Sequence, residues 1–199
     1  NVGRVIAALK ASGDYDNTII LFLSDNGAEG LNVAASQLPV FRAFVGRADN
    51  SYESLGGPRS FISYGPGWAQ AADTPSWLYK SFETEGGTRA PAFLTGPAGR
   101  RPGTIAPLYL SVMDIAPPLL DLAGIAPASG TFQGRAVQPM LGVSWKAWLA
   151  GAAGQVHSAS KPMGAELFGS RALRQGDWKL TDPGDGRWRL FNIARDPGE

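Results

Sequence analysis

The chain has 199 residues, 44% of them hydrophobic and 18% charged, a composition that supports one packed domain with a small appendage and argues against wholesale disorder. Its formal net charge of +1, with no basic cluster interleaved with aromatics, argues against nucleic acid or an acidic membrane surface as partner. The absence of cysteine removes disulfides, thiolate metal sites and cysteine nucleophiles, and no run approaches the about 20 apolar residues of a membrane span. Localisation is not legible: the chain opens on Asn1-Val2-Gly3 inside a helical pattern, which a removed leader or an upstream region would each explain.

Val2, Val5, Ile6 and Leu9 have the spacing of one helix face, and Gly13 supplies a stop. The helix feeds Thr18-Ile19-Ile20-Leu21-Phe22-Leu23-Ser24, whose apolar run predicts a strand buried on both faces. Its best candidate neighbour is Ala92-Phe93-Leu94, so the sheet looks incomplete. Residues 27–76 predict a long loop with short helices, with a turn at Pro66-Gly67-Trp68. A second helix is expected around 111–123, capped by Asp114 and ended by Gly124; Pro117 fits its first turn, whereas Pro118 should cost a backbone bond. Ser144 is placed to cap a short third helix. After about 165 the pattern turns to short strands, and Asp182-Pro183-Gly184-Asp185-Gly186 predicts a hairpin between Trp178-Lys179-Leu180 and Trp188-Arg189-Leu190-Phe191.

Asp25-Asn26, at the carboxyl end of the first strand, is where open α/β sheets carry ligands. A carboxylate beside a carboxamide supplies the hard oxygens that Ca²⁺ or Mg²⁺ takes, although Asp-Asn-Gly is also common turn chemistry. Lys80 is the only lysine between Lys10 and Lys146 and stands just before Glu85-Gly86-Gly87-Thr88-Arg89. Its ammonium suits an anionic oxygen, against the plainer reading of a solvated surface lysine. Gly86-Gly87 permits a tight bend, and Glu85 with Arg89 has the spacing of a structural ion pair. His157, the sole histidine, has no carboxylate near it in sequence and reads as a surface or linker residue. Trp77, Trp145, Trp148, Trp178 and Trp188 read as packing residues, with a carbohydrate platform as the alternative for one or two of them.

Several separated stretches together resemble the sulfatase (arylsulfatase) family of the alkaline phosphatase superfamily. Thr18–Gly27 (TIILFLSDNG) looks like the strand with the family's second pair of metal ligands, and Tyr79–Pro91 (YKSFETEGGTRAP) like its lysine-containing segment. Val112–Gly124 (VMDIAPPLLDLAG) is similar to the following helix. Glu166–Trp178 (ELFGSRALRQGDW) and the late Arg195-Asp196-Pro197 look like the small C-terminal sheet of arylsulfatases. The resemblance implies that Asp25 and Asn26 ligate Ca²⁺, that Lys80 contacts sulfate oxygens as the catalytic residue in this chain, and that a formylglycine hydrate attacks sulfur in the parent enzyme.

The family's C/S-x-P-x-R nucleophile element, its upstream Asp-Asp metal pair and its catalytic histidines are not recognisable here. The fold expected is therefore α/β: an incomplete C-terminal part of an alkaline-phosphatase-like sheet with flanking helices (1–150), plus a small antiparallel β subdomain (151–199). The function expected is a C-terminal segment of a sulfuric ester hydrolase that supplies part of a Ca²⁺ site and a sulfate-binding lysine, inactive alone, with a sulfate ester or sulfated glycan as partner. The alternatives are a phosphonate monoester or phosphodiester hydrolase segment, and a non-catalytic module that binds sulfated glycans. An uncovered strand edge further predicts self-association.

Overall fold

The computed structural model describes residues 1–33, 35–97 and 103–199. In chain order it runs α1 (Val2–Ser12), β1 (Ile20–Leu23), α2 (Pro39–Val45), α3 (Gly65–Asp73), α4 (Glu85–Thr88), β2 (Ala92–Thr95), α5 (Ala116–Leu122), β3 (Gly130–Phe132), β4 (Arg135–Val137) and α6 (Lys146–Leu149). The strands β5 (Met163–Leu167), β6 (Ser170–Gln175), β7 (Trp178–Asp182) and β8 (Arg189–Asn192) follow. Contacts divide the chain into two units, each drawn from two stretches: Asn1–Phe22 with Ala92–Ser158, and Leu23–Pro91 with Ala159–Glu199.

In the first unit α1 ends as its spacing predicts, at Gly13 in the left-handed region (φ 81), whose N–H returns toward the Leu9 and Lys10 carbonyls. The strand β1 is not buried on both faces. It pairs with β2 in a two-stranded sheet, Ile20 and Leu21 are half-buried, and Phe22 is exposed beside Phe93 with their rings stacked 5.3 Å apart. An apolar run signals that a strand can be covered, and among the described residues only one neighbouring strand is present to cover it. Asp114 is not itself the cap of the helical segment after it. Ser111 caps the turn Val112–Asp114, and Asp114 answers as the third residue of a capping box. Because α5 begins at Ala116, Pro117 and Pro118 both fall in the first turn, where a helix has no N–H bonds to lose. Pro118 therefore costs no bond and is fully buried.

His157 is not the surface or linker residue that the sequence predicts. Its Nε2 lies 2.7 Å from Asp114 Oδ2, both side chains are buried, and Tyr109 meets the imidazole edge to face. Asp114 also accepts bonds from the Ser111 and Val143 amides, and its own carbonyl accepts the Trp145 indole N–H. A contact between residues 43 apart leaves no local trace in sequence.

The second unit carries β5-β6-β7-β8 as a four-stranded antiparallel sheet. The predicted hairpin is present: Asp182 Oδ1 accepts the Gly184 and Gly186 amides, and Arg189 pairs with Asp185 at 2.7 Å. The buried face presents polar groups, Lys179 and Thr181 from β7 with Ser170 from β6, and Trp178 and Trp188 are half-exposed rather than packed. Two of these side chains meet backbone. Ser170 Oγ accepts the Glu83 amide, and Thr181 Oγ1 donates to the Glu83 carbonyl. Pro66-Gly67-Trp68 is not a loop turn but the first turn of α3, where a proline ring is tolerated.

Candidate functional site

The carboxyl end of β1 is folded by a relay of short bonds. The Ser24 amide donates to the Pro91 carbonyl, Ser24 Oγ donates to the Asn26 carbonyl, and Asn26 Nδ2 donates to the Gly27 carbonyl at 2.9 Å. Gly27 N–H reaches the Gly87 carbonyl at 2.9 Å, and the Ala28 amide is held by the Asp73 carboxylate at the end of α3. Gly27 must be glycine: a Cβ there would stand 1.7 Å from the Gly86 carbonyl oxygen. Gly86 and Gly87 are constrained the same way. Added Cβ atoms would meet the carbonyls of Leu78 and Trp77, and of Phe82 and Tyr79. Close backbone approach, rather than a phosphate loop, is why two glycines follow Glu85.

Lys80 enters this arrangement twice. Its amide donates to the Ala28 carbonyl at 3.0 Å, two residues beyond Asn26, and its Nζ pairs with Glu29 Oε2 at 2.9 Å. The hydrogen bond it donates to Glu29 holds the lysine above its ordinary pKa, and the Asp25 charge adds to the effect. Glu29 is lowered in return, chiefly by that same bond. Asp25, Asn26 and Lys80 thus fall in one unit, with Asp25 exposed and the other two half-buried. His157 belongs to the other unit.

The donor set matches a hard cation in kind. Asn26 commits its nitrogen to Gly27, which fixes the amide plane, and Asp25 adds a carboxylate. It is a partial set, since no group of three or more His, Asp or Glu suited to a metal occurs among the described residues. Sequence reading misses Glu29, Asp73 and Lys179. Lys179 Nζ is buried between Glu85 Oε1 at 3.0 Å and Glu199 Oε1 at 2.9 Å, so it, and not Arg89 at 4.0 Å, is the principal partner of Glu85. A lysine between two hydrophobic strand residues ordinarily signals the solvent face, and here the alternation is inverted.

The family model described as Sulfatase matches residues 1–125. The chain belongs to the sulfatase family. This sulfatase sequence is 43% identical over 203 residues to an uncharacterized sulfatase of Schizosaccharomyces pombe, covering 100% of this chain and 36% of that protein. It is 35% identical over 150 residues to an arylsulfatase of Klebsiella aerogenes, covering 73% and 31% respectively. The structure of BT4656 in complex with its substrate D-glucosamine-2-N,6-O-disulfate aligns at TM-score 0.56 and 19% identity, over 98% of this chain and 32% of that one. That likeness shows a shared alkaline-phosphatase-like sulfatase fold. The chain spans about a third of the length of the curated relatives it matches.

Proposed function

We propose that this sulfatase segment contributes to an arylsulfatase-type sulfuric ester hydrolase a pair of Ca²⁺ or Mg²⁺ ligands, Asp25 and Asn26, and a sulfate-contacting cation, Lys80. The observation that supports this reading is the reach of Lys80. Its backbone is bonded to Ala28, and its ammonium feels both Glu29 and Asp25. A bound divalent cation would supply Lewis acidity toward the sulfate oxygens. Asp25 and Asn26 would hold that cation by oxygen, and Lys80 would neutralise charge on the sulfuryl group, a role that is electrostatic and needs no proton transfer. The substrate class proposed is a sulfate ester, a sulfated sugar included. Within the family reading, residues 1–150 would be catalytic-domain sequence and 151–199 an accessory sheet.

Electrostatic groups assist a reaction only where a nucleophile exists, and this sequence contains neither cysteine nor a Ser-x-Pro-x-Arg element. The chain incubated alone with a chromogenic aryl sulfate and Ca²⁺ is therefore expected to show no turnover above buffer. Turnover that disappears in Lys80→Ala would overturn the assignment of Lys80 as an auxiliary group.

A further inference from the structure

The tie between the C-terminal sheet and the Asp25–Lys80 surface is a run of direct contacts with a buried charge at one end. Lys179, 4% exposed, is enclosed by the carboxylates of Glu85 and Glu199, and the charge of Glu83 also acts on that cluster. Glu85 opens α4, and its amide is capped by Glu199 Oε2. Gly86 and Gly87 follow, and their carbonyls meet Gly27: one would collide with any Cβ there, and the other accepts its N–H. On the far side Gly86 N–H bonds the Trp77 carbonyl, and Thr84 Oγ1 bonds the same oxygen, which sets the start of the Trp77–Lys80 stretch.

The Glu85–Thr88 turn therefore bonds to Gly27 on one side and to Trp77 on the other, and its first residue is gripped by the polar groups of Lys179 and Glu199. A polar grip is directional. An apolar one of equal strength would let the turn slide, because burial energy does not depend on orientation. We propose that Lys179 is a positioning residue, whose buried ion pairs with Glu85 and Glu199 hold the Glu85–Thr88 turn in the register against Gly27 that sets Asp25 and Asn26 opposite Lys80. This inference rests on the proposed metal and sulfate reading for its functional meaning, and on the contacts alone for its structural content.

The test separates the two. Hydrogen exchange on the full chain would compare wild type with Lys179→Met, Lys179→Arg, Glu85→Gln and Leu180→Ala, the last a lesion in the same strand. The amides of Gly27 and Lys80, bonded to Gly87 and Ala28, are the readout. Lys179→Met should raise their exchange at least tenfold beyond the change produced by Leu180→Ala, and Lys179→Arg should restore most of the protection. Should Lys179→Met fail to fold, Glu85→Gln must produce the same selective loss. Unchanged protection at Gly27 and Lys80 in a folded Lys179→Met or Glu85→Gln chain overturns the proposal, as does an equal loss in Leu180→Ala. Terbium luminescence titration of the same proteins supplies the functional arm, with Lys179→Met expected to weaken Tb³⁺ binding at least fivefold. If wild-type chain and Asp25→Asn bind Tb³⁺ alike while selective exchange persists, the metal reading falls and the positioning role stands.

Discussion

At the scale of single residues, the proposed sulfate-binding role of Lys80 depends on its pairing with Glu29. Glu29 holds it at 2.9 Å, so on the proposed reading a sulfate would have to displace or share a carboxylate before it gains the ammonium. Both side chains are substantially exposed, and exposed ion pairs contribute only about 0.2–1 kcal/mol. Glu29→Gln should accordingly tighten sulfate binding by about two- to fivefold in metal-free buffer, while Lys80→Ala removes it, as measured by calorimetry. Glu83 carries a pH prediction. Burial raises its pKa, so the folded state resists its ionisation more than the unfolded chain does. Wild-type stability should fall as pH rises from the ordinary glutamate value to the elevated one, and remain lowered above it. Glu83→Gln is expected to raise Tm at pH 8, the gain fading below about pH 4.5, where both states are protonated. A pH-independent difference would refute this account of Glu83.

At the scale of elements, glycine positions carry the architecture around the site. Gly27→Ala would force a methyl into the Gly86 carbonyl, and overpacking against backbone that cannot rotate away costs about 1–3 kcal/mol. Chemical denaturation should register that loss, whereas Gly3→Ala in α1, with nothing within 4 Å, should be neutral or slightly stabilising. Elements governed by local chemistry are legible in sequence: α1 with its Gly13 stop, and the hairpin around Asp182–Gly186. The metal and anion candidates stand out for the same kind of reason, a donor pair after an apolar run and an isolated lysine before Glu-Gly-Gly. What is not legible depends on contacts distant in sequence. Lys179 reaches Glu85 across 94 residues, and an inward-facing lysine arises only because the sheet packs on a polar turn. The helical start at Gly65, with Pro66 inside it, is missed because a proline in a glycine-rich stretch signals a turn and a first helical turn equally well.

At the scale of the molecule, the first unit exposes Phe22 and Phe93 side by side on a two-stranded sheet. The chain covers 36% and 31% of the two curated relatives quoted above. The second unit carries its own four-stranded sheet, whose Lys179 pairs with Glu85. On the proposed reading, Asp25, Asn26 and Lys80 serve one ligand together. The most direct test is sulfate affinity, measured calorimetrically with and without saturating Ca²⁺, in wild type and in Asp25→Asn. Two ligands meeting at one oxyanion should be coupled, so Ca²⁺ should tighten sulfate binding about tenfold in wild type and have no effect in Asp25→Asn. Identical sulfate affinities in the presence and absence of Ca²⁺ would contradict the account.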